Sequence, residues 1–411
     1  MKVVFLCQRV PYPPDRGDRI TTWHFLQHLL AQGNALRVGC LAEEDRDATG
    51  VSELRARGCV VEAPRIDRRL RRLASLRGLL TAEALTLPFF RVAALRARVE
   101  RWLRDDPPDL IYVYSSGMAQ YARAEGPWAR VMHFAELDSD KWRQFAAAAR
   151  SPLARWVYAR EARRLLAFER AVARAFDASV VVSEVERALF VERIPGVVPH
   201  VLRNGVDVER FASRGDATRE PHTAVFTGVM DYAPNVQGVL WFVQECWPAL
   251  RAGFRDARLL VVGANPVAAI RALHGREGIE VTGRVPETQP YFDRACVAIA
   301  PLHLARGVQN KVLEALCMGL PVVVTAMAAQ GIGTPPAGCV AIADEVDATT
   351  AAVRHWFADP PAAREAGARA AAWVREHFRW QQMYADLDRI VAAALDHRRG
   401  AAPRPAAGLS D

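Results

Sequence analysis

The chain has 411 residues, of which 51% are hydrophobic and 24% charged, as in ordinary soluble globular proteins rather than fibrous or disordered ones. This length exceeds what one hydrophobic core usually organises, so we expect two domains of roughly 150–200 residues. The net charge of +8 indicates attraction to anions, whether nucleic acid, anionic lipid or nucleotide phosphate, without choosing among them.

The cysteines point to a reducing compartment. All seven are scattered singly, without a Cys-x-x-Cys pair or a histidine spaced to complete a metal site. The apolar run Val3–Cys7 is too short for a signal peptide, and no run approaches the ~20 residues that span a bilayer. We therefore expect a cytoplasmic protein without a metal site.

Short, continuously apolar runs alternate with helical patterns, which is typical of a parallel sheet covered by helices on both faces. Helical periodicity is clear over Thr21–Ala31 and Ala154–Phe176. The strands predicted in the first half are Val3–Cys7, Leu36–Leu41, Cys59–Ala63, Leu110–Tyr114, Val131–Phe134 and Ser179–Val182. The pattern restarts after a polar segment, with strands at Ala224–Thr227, Leu259–Val262, Ile279–Thr282, Val297–Pro301 and Val322–Thr325.

This restart predicts an α/β protein of two Rossmann-like, doubly wound domains facing across a cleft, with the C-terminal helix packing back on the N-terminal domain. The predicted divisions are an N-terminal domain (1–212), a linker (213–221), a C-terminal domain (222–376), a helix (377–397) and a disordered tail (398–411). Ligands of such domains bind outside the carboxyl ends of the strands, so the loops between a strand and the next helix are the first places to look.

The loop after the first strand is stiff and charged. It contains three prolines and then Arg16, Gly17 and Asp18, before a helix predicted to start near Ile20. Gly17 permits a tight turn or close approach of a ligand, and Asp18 can cap the helix. These features favour acceptor binding; the alternative is a rigid connector with an N-cap.

His133 ends a predicted strand and is followed by an acidic segment that includes Asp138, and then by Lys141 and Trp142. A histidine, several acids and a lysine at the carboxyl edge of the sheet indicate a catalytic or acceptor-binding site. The alternative is structural: the histidine is a core residue, Asp138 caps the next helix and Trp142 only packs.

Lysine is rare in this chain. Of 54 basic residues only Lys2, Lys141 and Lys311 are lysine, so Lys311 indicates a need for a compact cation rather than a planar fork. It follows a glycine turn at the start of a predicted helix, whose free N–H groups and positive dipole end can hold a phosphate. Glu314 lies three residues later on the same face. The alternative is a helix-initiating loop with a chance Lys–Glu pair.

The first strand of the second half ends in Gly228, and a helix begins near Asn235. This is a phosphate cradle with a single glycine, weaker than Gly-x-Gly-x-x-Gly. No Walker-type lysine and no Gly-x-Ser-x-Gly elbow occur in the sequence.

The segment 65–77 is strongly basic and carries leucines at helical spacing, followed by Leu87-Pro-Phe-Phe90. This pattern is typical of a helix lying on an anionic membrane surface. An arginine-rich solvated helix is the alternative. Nucleic-acid binding is not expected, because no recognition module accompanies the charge.

The second half, from Phe226-Thr-Gly228 to Gly319-Leu-Pro321, resembles the donor domain of GT-B glycosyltransferases, specifically the retaining enzymes of family 4. The segment 201–211, which contains Asn204-Gly-Val-Asp207, resembles that family's Asn-Gly-Val-Asp stretch. These motifs, together with Pro11-x-Pro13 and the segment 138–142, resemble the sugar transferases associated with exosortase and exopolysaccharide systems. The similarity covers nearly the whole chain except the tail.

The resemblance implies a role for each matching position. Glu314 would hold the donor ribose hydroxyls, Lys311 and nearby N–H groups would bind the diphosphate, and His133 falls where the family often has a histidine near the transferred sugar. The implied catalytic residues are His133, Lys311 and Glu314; the donor-binding residues are Gly228, Asn235, Arg306, Gly307, Val308, Gln309 and Asn310; the acceptor-side residues are Arg16, Gly17, Asp18, Asp138 and Lys141.

Two departures from the family pattern stand out. The family motif is Glu-x7-Glu, but the position eight residues before Glu314 is Arg306, so the usual contact to the donor sugar is changed. The first donor loop usually carries arginine and lysine, whereas here 230–235 reads Met-Asp-Tyr-Ala-Pro-Asn. Lys311 and Arg306 would then have to neutralise the charge of the phosphates.

The resemblance implies transfer of a sugar, with retention, from a nucleotide-diphosphate donor (UDP or GDP) to a saccharide or lipid-linked glycan hydroxyl in bacterial exopolysaccharide synthesis. Backbone N–H groups, a helix dipole and Lys311 would stabilise the leaving diphosphate without a metal or cofactor. Peripheral contact with the inner membrane is a further expectation, and nucleic acid is not an expected partner. Two alternatives stay open: a GT-B-fold nucleotide-sugar epimerase, and a non-catalytic membrane-surface scaffold.

Overall fold

The computed structural model describes residues 1–122, 126–213, 219–305 and 307–400. The chain forms two compact units: unit 1 contains Met1–Leu202 and the chain from Tyr384 on, and unit 2 contains Arg203–Met383. The division therefore follows Leu202, earlier than the sequence suggested, because Val206 donates its N–H to the carbonyl of Phe378 (2.7 Å) and belongs to the core of unit 2. Residues 214–218 of the predicted linker lie outside the described residues.

Unit 1 is built on a seven-stranded, fully parallel sheet in the order β3-β2-β1-β4-β5-β6-β7. Continuous apolar runs form its central strands because helices cover both faces. Its strands are β1 (Lys2–Leu6), β2 (Ala35–Gly39), β3 (Val60–Glu62), β4 (Leu110–Tyr114), β5 (Ala129–Ala135), β6 (Ala178–Val181) and β7 (His200–Val201).

The first helix of unit 1, α1 (Gly17–Ala31), buries an apolar side that includes Phe25, Leu26 and Leu29. The helices are α1 (Gly17–Ala31), α2 (Asp47–Ala56), α3 (Arg68–Ser75), α4 (Thr86–Phe90), α5 (Ala93–Asp105), α6 (Asp138–Ala148), α7 (Pro152–Ala175) and α8 (Glu184–Arg193), with 3₁₀ turns at Leu76–Leu80 and Ser116–Tyr121.

Unit 2 has a six-stranded parallel sheet in the order β10-β9-β8-β11-β12-β13. Its strands are β8 (Thr223–Thr227), β9 (Arg258–Val262), β10 (Ile279–Gly283), β11 (Val297–Ala300), β12 (Val322–Val324) and β13 (Val340–Ile342). Its helices are α9 (Ala233–Trp241), a π-helical turn (Phe242–Cys246), α10 (Trp247–Gly253), α11 (Ala268–Arg271), α12 (Gln289–Arg294), α13 (Asn310–Cys317), α14 (Ala326–Ala329), α15 (Val346–Ala358) and α16 (Pro360–His377).

The last helix, α17 (Trp380–Gly400), belongs to unit 1 from Tyr384 on, which confirms the prediction that it packs back on the N-terminal domain. The ring of His28 stacks on Tyr384 with centroids 4.3 Å apart, and its Nε2 lies 2.9 Å from a carboxylate oxygen of Asp388. The helix continues to Gly400, so 398–400 are helical rather than tail; 401–411 lie outside the described residues. No helix in the described ranges has the length and apolar composition needed to cross a bilayer.

Two strands escaped the sequence patterns. β7 has only two residues, and β13 lies at the sheet edge, where Ile342 is 61% exposed. Neither forms the continuous apolar run that identifies a strand covered on both faces.

Candidate functional site

The strand order of unit 2 places its loops. Counted from β8, the order is 3-2-1-4-5-6, so the connections leave in opposite directions from the neighbouring strands β8 and β11. Ligands of doubly wound sheets bind at such a switch point, outside the carboxyl ends of the strands. The loop after β8 carries Gly228, and the loop after β11 leads to Lys311 on α13.

Lys311 is held in place at this point. Its Nζ donates to Asn235 Oδ1 at 2.6 Å and lies 4.4 Å from the ring centroid of Phe226, the last buried aromatic residue of β8. The amide of Asn235 is oriented in turn, because Nδ2 donates to the carbonyl of Val229 at 2.9 Å. Asn235 is 5% exposed, so its buried side chain fixes the positions of both the lysine and the loop.

Two glycines allow this close packing. A Cβ at Gly228 would lie 2.6 Å from Asn235 Nδ2 and 2.9 Å from Lys311 Nζ. A Cβ at Gly263, which follows β9, would lie 1.7 Å from the carbonyl oxygen of Gly228. The two loops are also joined by a 2.7 Å bond from the Met230 N–H to the Ala264 carbonyl. Only glycine fits where the two backbones approach so closely.

The helix α13 begins and ends as its sequence indicates. Gly307 has φ +62°, and the carbonyl of Gln309 accepts from the N–H groups of Val312 (2.9 Å) and Leu313 (3.3 Å). The N–H groups before Val312 precede the helical ladder and form the positive end of the helix dipole. At the other end Gly319 has φ +72°, and the chain turns into β12.

Burial shifts the pKa values of two ionisable groups on α13 toward 7. Burial lowers the pKa of Lys311 to about 7, although the nearby Glu314 opposes this shift. Burial also raises the pKa of Glu314 to about 7, against the opposing charges of Arg210 and Lys311. Perturbed groups of this kind cluster at functional sites, because anion binding and catalysis need protons that move near neutral pH.

The predicted donor residues thus converge in part. Gly228, Asn235 and Lys311 are in direct contact, and Gly307, Val308, Gln309 and Asn310 form the turn and first residue of α13. Arg306 lies outside the described residues.

Three residues near this site were not predicted as site residues. Asn204 donates from Nδ2 to Asn310 Oδ1 at 3.4 Å, Arg210 lowers the pKa of Glu314, and Gly263 packs on Gly228. Gly263 follows a strand directly, a signal that could have been read from the sequence. Arg210 is one of many arginines and has no such signal.

In unit 1 the loop after β1 forms an ion pair with the start of α1. Arg9 Nη1 donates to Asp18 Oδ2 at 2.5 Å, and this pairing lowers the pKa of Asp18 despite burial, which opposes the shift. The prediction that Asp18 caps α1 is wrong: the helix begins at Gly17, Arg16 is the N-cap residue, and Asp18 lies in the first turn. The carboxylate is drawn to Arg9 instead.

The second predicted group of unit 1 is also assembled. Asp138 Oδ2 accepts from Ser116 Oγ at 2.8 Å, and its Oδ1 accepts from Lys141 Nζ at 2.5 Å. Burial raises the pKa of the intervening Tyr114, and the carboxylates of Asp18 and Asp138 add to the shift. Two predicted acceptor-side residues, Asp18 at the start of α1 and Asp138 at the start of α6, therefore both act on one tyrosine.

His133 lies below this surface. It is fully buried, its Nδ1 is 2.7 Å from the Tyr112 hydroxyl, and the rings of Phe25 and Tyr114 pack on it. Burial lowers its pKa to about 3, so the imidazole is neutral at physiological pH. Its Nε2 is buried without a hydrogen-bond partner in the described ranges. Its predicted catalytic role stays a prediction.

Within the residues that the structure describes, no three His, Cys, Asp or Glu side chains converge as metal ligands would.

The sequence of unit 2 matches a known protein family: residues 221–359 match the family described as Glycosyl transferases group 1. Most of unit 2 is therefore similar to group 1 glycosyltransferases. The match covers about a third of the chain and includes Gly228, Asn235, Lys311 and Glu314. No curated protein matches the chain in sequence.

The whole chain resembles solved structures. Sucrose-phosphate synthase from Thermosynechococcus elongatus has a TM-score of 0.72 at 17% identity, over 95% of this chain and 98% of that one. Anabaena HepE in complex with UDP-glucose has a TM-score of 0.65 at 14% identity, over 96% and 100%. WaaG, a glycosyltransferase of lipopolysaccharide biosynthesis, has a TM-score of 0.65 at 17% identity, over 97% and 100%. These likenesses confirm the predicted GT-B fold, and the segment that matches the group 1 family lies in the second unit.

Proposed function

We propose that this protein transfers a sugar from a nucleotide-diphosphate donor to a hydroxyl acceptor. The observation that carries the proposal is the placement of Lys311, held by Asn235 at the N-terminal end of α13 and at the switch point of the unit that matches group 1 glycosyltransferases. A cation and a helix N-terminus together suit a diphosphate, whose charge grows as the sugar leaves. We assign to Glu314, one turn further on, the hydrogen bonds from the ribose hydroxyls.

The finer assignments follow from the family resemblance. We propose a family 4-like hexosyl transfer with retention, in which the acceptor hydroxyl attacks the anomeric carbon on the face from which the diphosphate leaves, so that no protein nucleophile is required. UDP or GDP is the donor nucleotide; Anabaena HepE, a structural relative, has been solved with UDP-glucose. The acceptor is a saccharide or lipid-linked glycan of exopolysaccharide synthesis in the bacterial cytoplasm, near Asp18, Asp138 and Lys141. The chemistry as proposed requires neither metal nor cofactor.

A panel of UDP-, GDP-, ADP- and dTDP-sugars tests the proposal by thermal shift. A ligand at a hundred times its Kd stabilises the folded state by about 2.7 kcal/mol, so the true donor class should raise the Tm distinctly. Product analysis follows with the donor identified. Sugar conversion without any acceptor would indicate an epimerase instead, and no Tm response to any nucleotide sugar would refute the donor site.

Changing Glu314 to Gln should weaken donor binding more than it slows the chemistry. A charge-assisted hydrogen bond contributes about 1.5–3 kcal/mol, so we expect the donor Kd to rise roughly 10- to 150-fold. Calorimetry with the donor measures the effect. Glu280→Gln, at a partly exposed acid on β10 of the same unit, is the matched control and should leave the Kd unchanged. Unchanged affinity in Glu314→Gln would rule out the ribose contact.

Donor affinity should depend on pH as a bell with its maximum near pH 7. Lys311 loses its proton above about pH 7 and then attracts the diphosphate less, whereas Glu314 gains a proton below about pH 7 and accepts fewer hydrogen bonds. Each limb should approach a tenfold loss per pH unit. Titrations of a nucleotide sugar from pH 5.5 to 9 measure the curve. Lys311→Met should remove the alkaline limb and Glu314→Gln the acidic one; a flat wild-type curve would contradict both assignments.

A further inference from the structure

A short helix of unit 1 exposes leucines where helices usually expose polar residues. On α3 and the 3₁₀ turn after it, Leu70 and Leu73 are each 65% exposed and Leu76 is 50% exposed. Their spacing of three residues places them along one side of the helix. Single exposed leucines are ordinary, but a row of three indicates a surface that meets an apolar partner.

Arginines stand between these leucines. Arg69, Arg72 and Arg77 are exposed, and none forms an ion pair with a carboxylate in the described ranges of the chain. By contrast, Arg68 pairs with Glu43 at 2.7 Å, and Arg71 turns inward to the carbonyls of Phe89, Pro88 and Arg91. The outer side of α3 thus combines apolar side chains with uncompensated positive charge.

The chain that follows α3 is fixed firmly to unit 1. Arg160 of α7 donates to the carbonyls of Gly78, at 2.5 Å, and of Thr81, just after the leucine row. The buried carboxylate of Glu161 accepts from the N–H groups of Leu85 (2.6 Å) and Thr86 (2.9 Å). The exposed leucines therefore belong to an anchored surface, and their exposure is not that of a loose segment.

A second exposed apolar group lies on the same helix α7. Leu153 is 70% exposed and Trp156 54% exposed, and they precede Arg160 by seven and four residues, on the same helical side. Because Arg160 bonds to the carbonyl of Gly78, the side of α7 that carries this group also holds the 3₁₀ turn that ends the leucine row. Trp156 is an amphipathic aromatic residue of the type enriched at membrane–water boundaries.

We propose that the surface formed by Leu70, Leu73, Leu76, Leu153 and Trp156, with Arg69, Arg72 and Arg77, docks on an anionic lipid bilayer. Leucines and tryptophan enter the headgroup boundary while arginines extend to lipid phosphates, as in interfacial helices. Charge complementarity selects this occupant. A second copy of the chain would bring like-charged arginine rows together, whereas interface cores are depleted of charge. A nucleic-acid backbone would attract the arginines but leave the leucines in water.

The docking does not depend on the proposed chemistry, so it is tested on the full chain without any nucleotide sugar. Sedimentation with phosphatidylglycerol-containing vesicles and with pure phosphatidylcholine vesicles measures partitioning. We expect binding to the anionic vesicles, lowered at least tenfold by combined Leu70→Ser, Leu73→Ser and Leu76→Ser changes. Combined Arg69→Gln, Arg72→Gln and Arg77→Gln changes should lower it on the order of 100-fold, at about fivefold per arginine.

The matched control replaces Val198 and Ile342 with serine, since both are as exposed as the leucines but lie elsewhere. It should bind vesicles like the wild type, and melting curves should show every variant folded. Vesicle binding unaffected by the leucine changes would overturn the proposal. So would a dimer that only the leucine changes dissociate, or binding of RNA in place of vesicles.

Discussion

Replacing Lys311 with methionine should lower sugar transfer by about 100-fold or more while leaving the protein at least as stable. Removal of one preorganised charge stabiliser typically costs 10²–10³ in kcat. Lys311 is the cation that Asn235 holds at 2.6 Å beside the start of α13. Methionine keeps most of the length of the side chain but removes the charge that the leaving diphosphate needs.

The stability of this variant follows from the pKa of the lysine. Burial lowers that pKa from 10.5 to about 7, so the folded state disfavours the charged form. The resulting loss of folding free energy begins as the pH falls below 10.5, the pKa of lysine in the unfolded chain, and is complete at about pH 7. The methionine variant does not have this loss. The Tm of Lys311→Met should therefore equal or exceed that of the wild type at neutral pH.

Two controls separate charge from geometry. Lys2→Met removes an exposed lysine that pairs with Asp106 and should keep full activity. Lys311→Arg keeps a positive charge but sets a planar fork against Gly228 and Asn235, where a point cation fits, so it should rescue transfer poorly. Full turnover in a folded Lys311→Met protein would end the proposed role of this lysine.

Replacing Gly263 with alanine should destabilise unit 2 and abolish donor binding together. The new Cβ would lie 1.7 Å from the carbonyl oxygen of Gly228 and 2.7 Å from its carbon, so one backbone has to move. Overpacking and backbone strain of this kind cost about 2–4 kcal/mol. The loop that moves carries Gly228, which closes on Asn235 and Lys311, so the donor site is displaced as well.

Urea unfolding and donor titration measure the two effects. Gly253→Ala is the matched control, because a Cβ at the end of α10 meets no atom within 4 Å. That change should be neutral or slightly stabilising, since alanine restricts the unfolded chain. A Gly263→Ala protein with the stability and donor affinity of the wild type would show that the loops after β8 and β9 are not packed as described.

The strands other than β7 and β13, and the helix α13, were predictable because their signals are local. Buried parallel strands are continuous apolar runs, and α13 lies between a glycine turn at Gly307 and the helix-ending Gly319. The cap of α1 was mispredicted for the opposite reason. Asp18 is a residue type that often caps helices, but its partner Arg9 comes from the preceding loop, and a partly buried, charge-assisted ion pair outweighs a capping bond.

The sequence by itself determined the two parallel-sheet units, the position of the helix that starts at Asn310, and the choice of a lysine at position 311. Only the tertiary structure decided which groups meet that lysine. Asn235 lies far from it along the chain and reaches it because β8 and β11 are neighbours in the sheet. Periodicity and turn residues act within a few positions, whereas strand order joins distant loops through burial of the whole sheet, which no short pattern encodes.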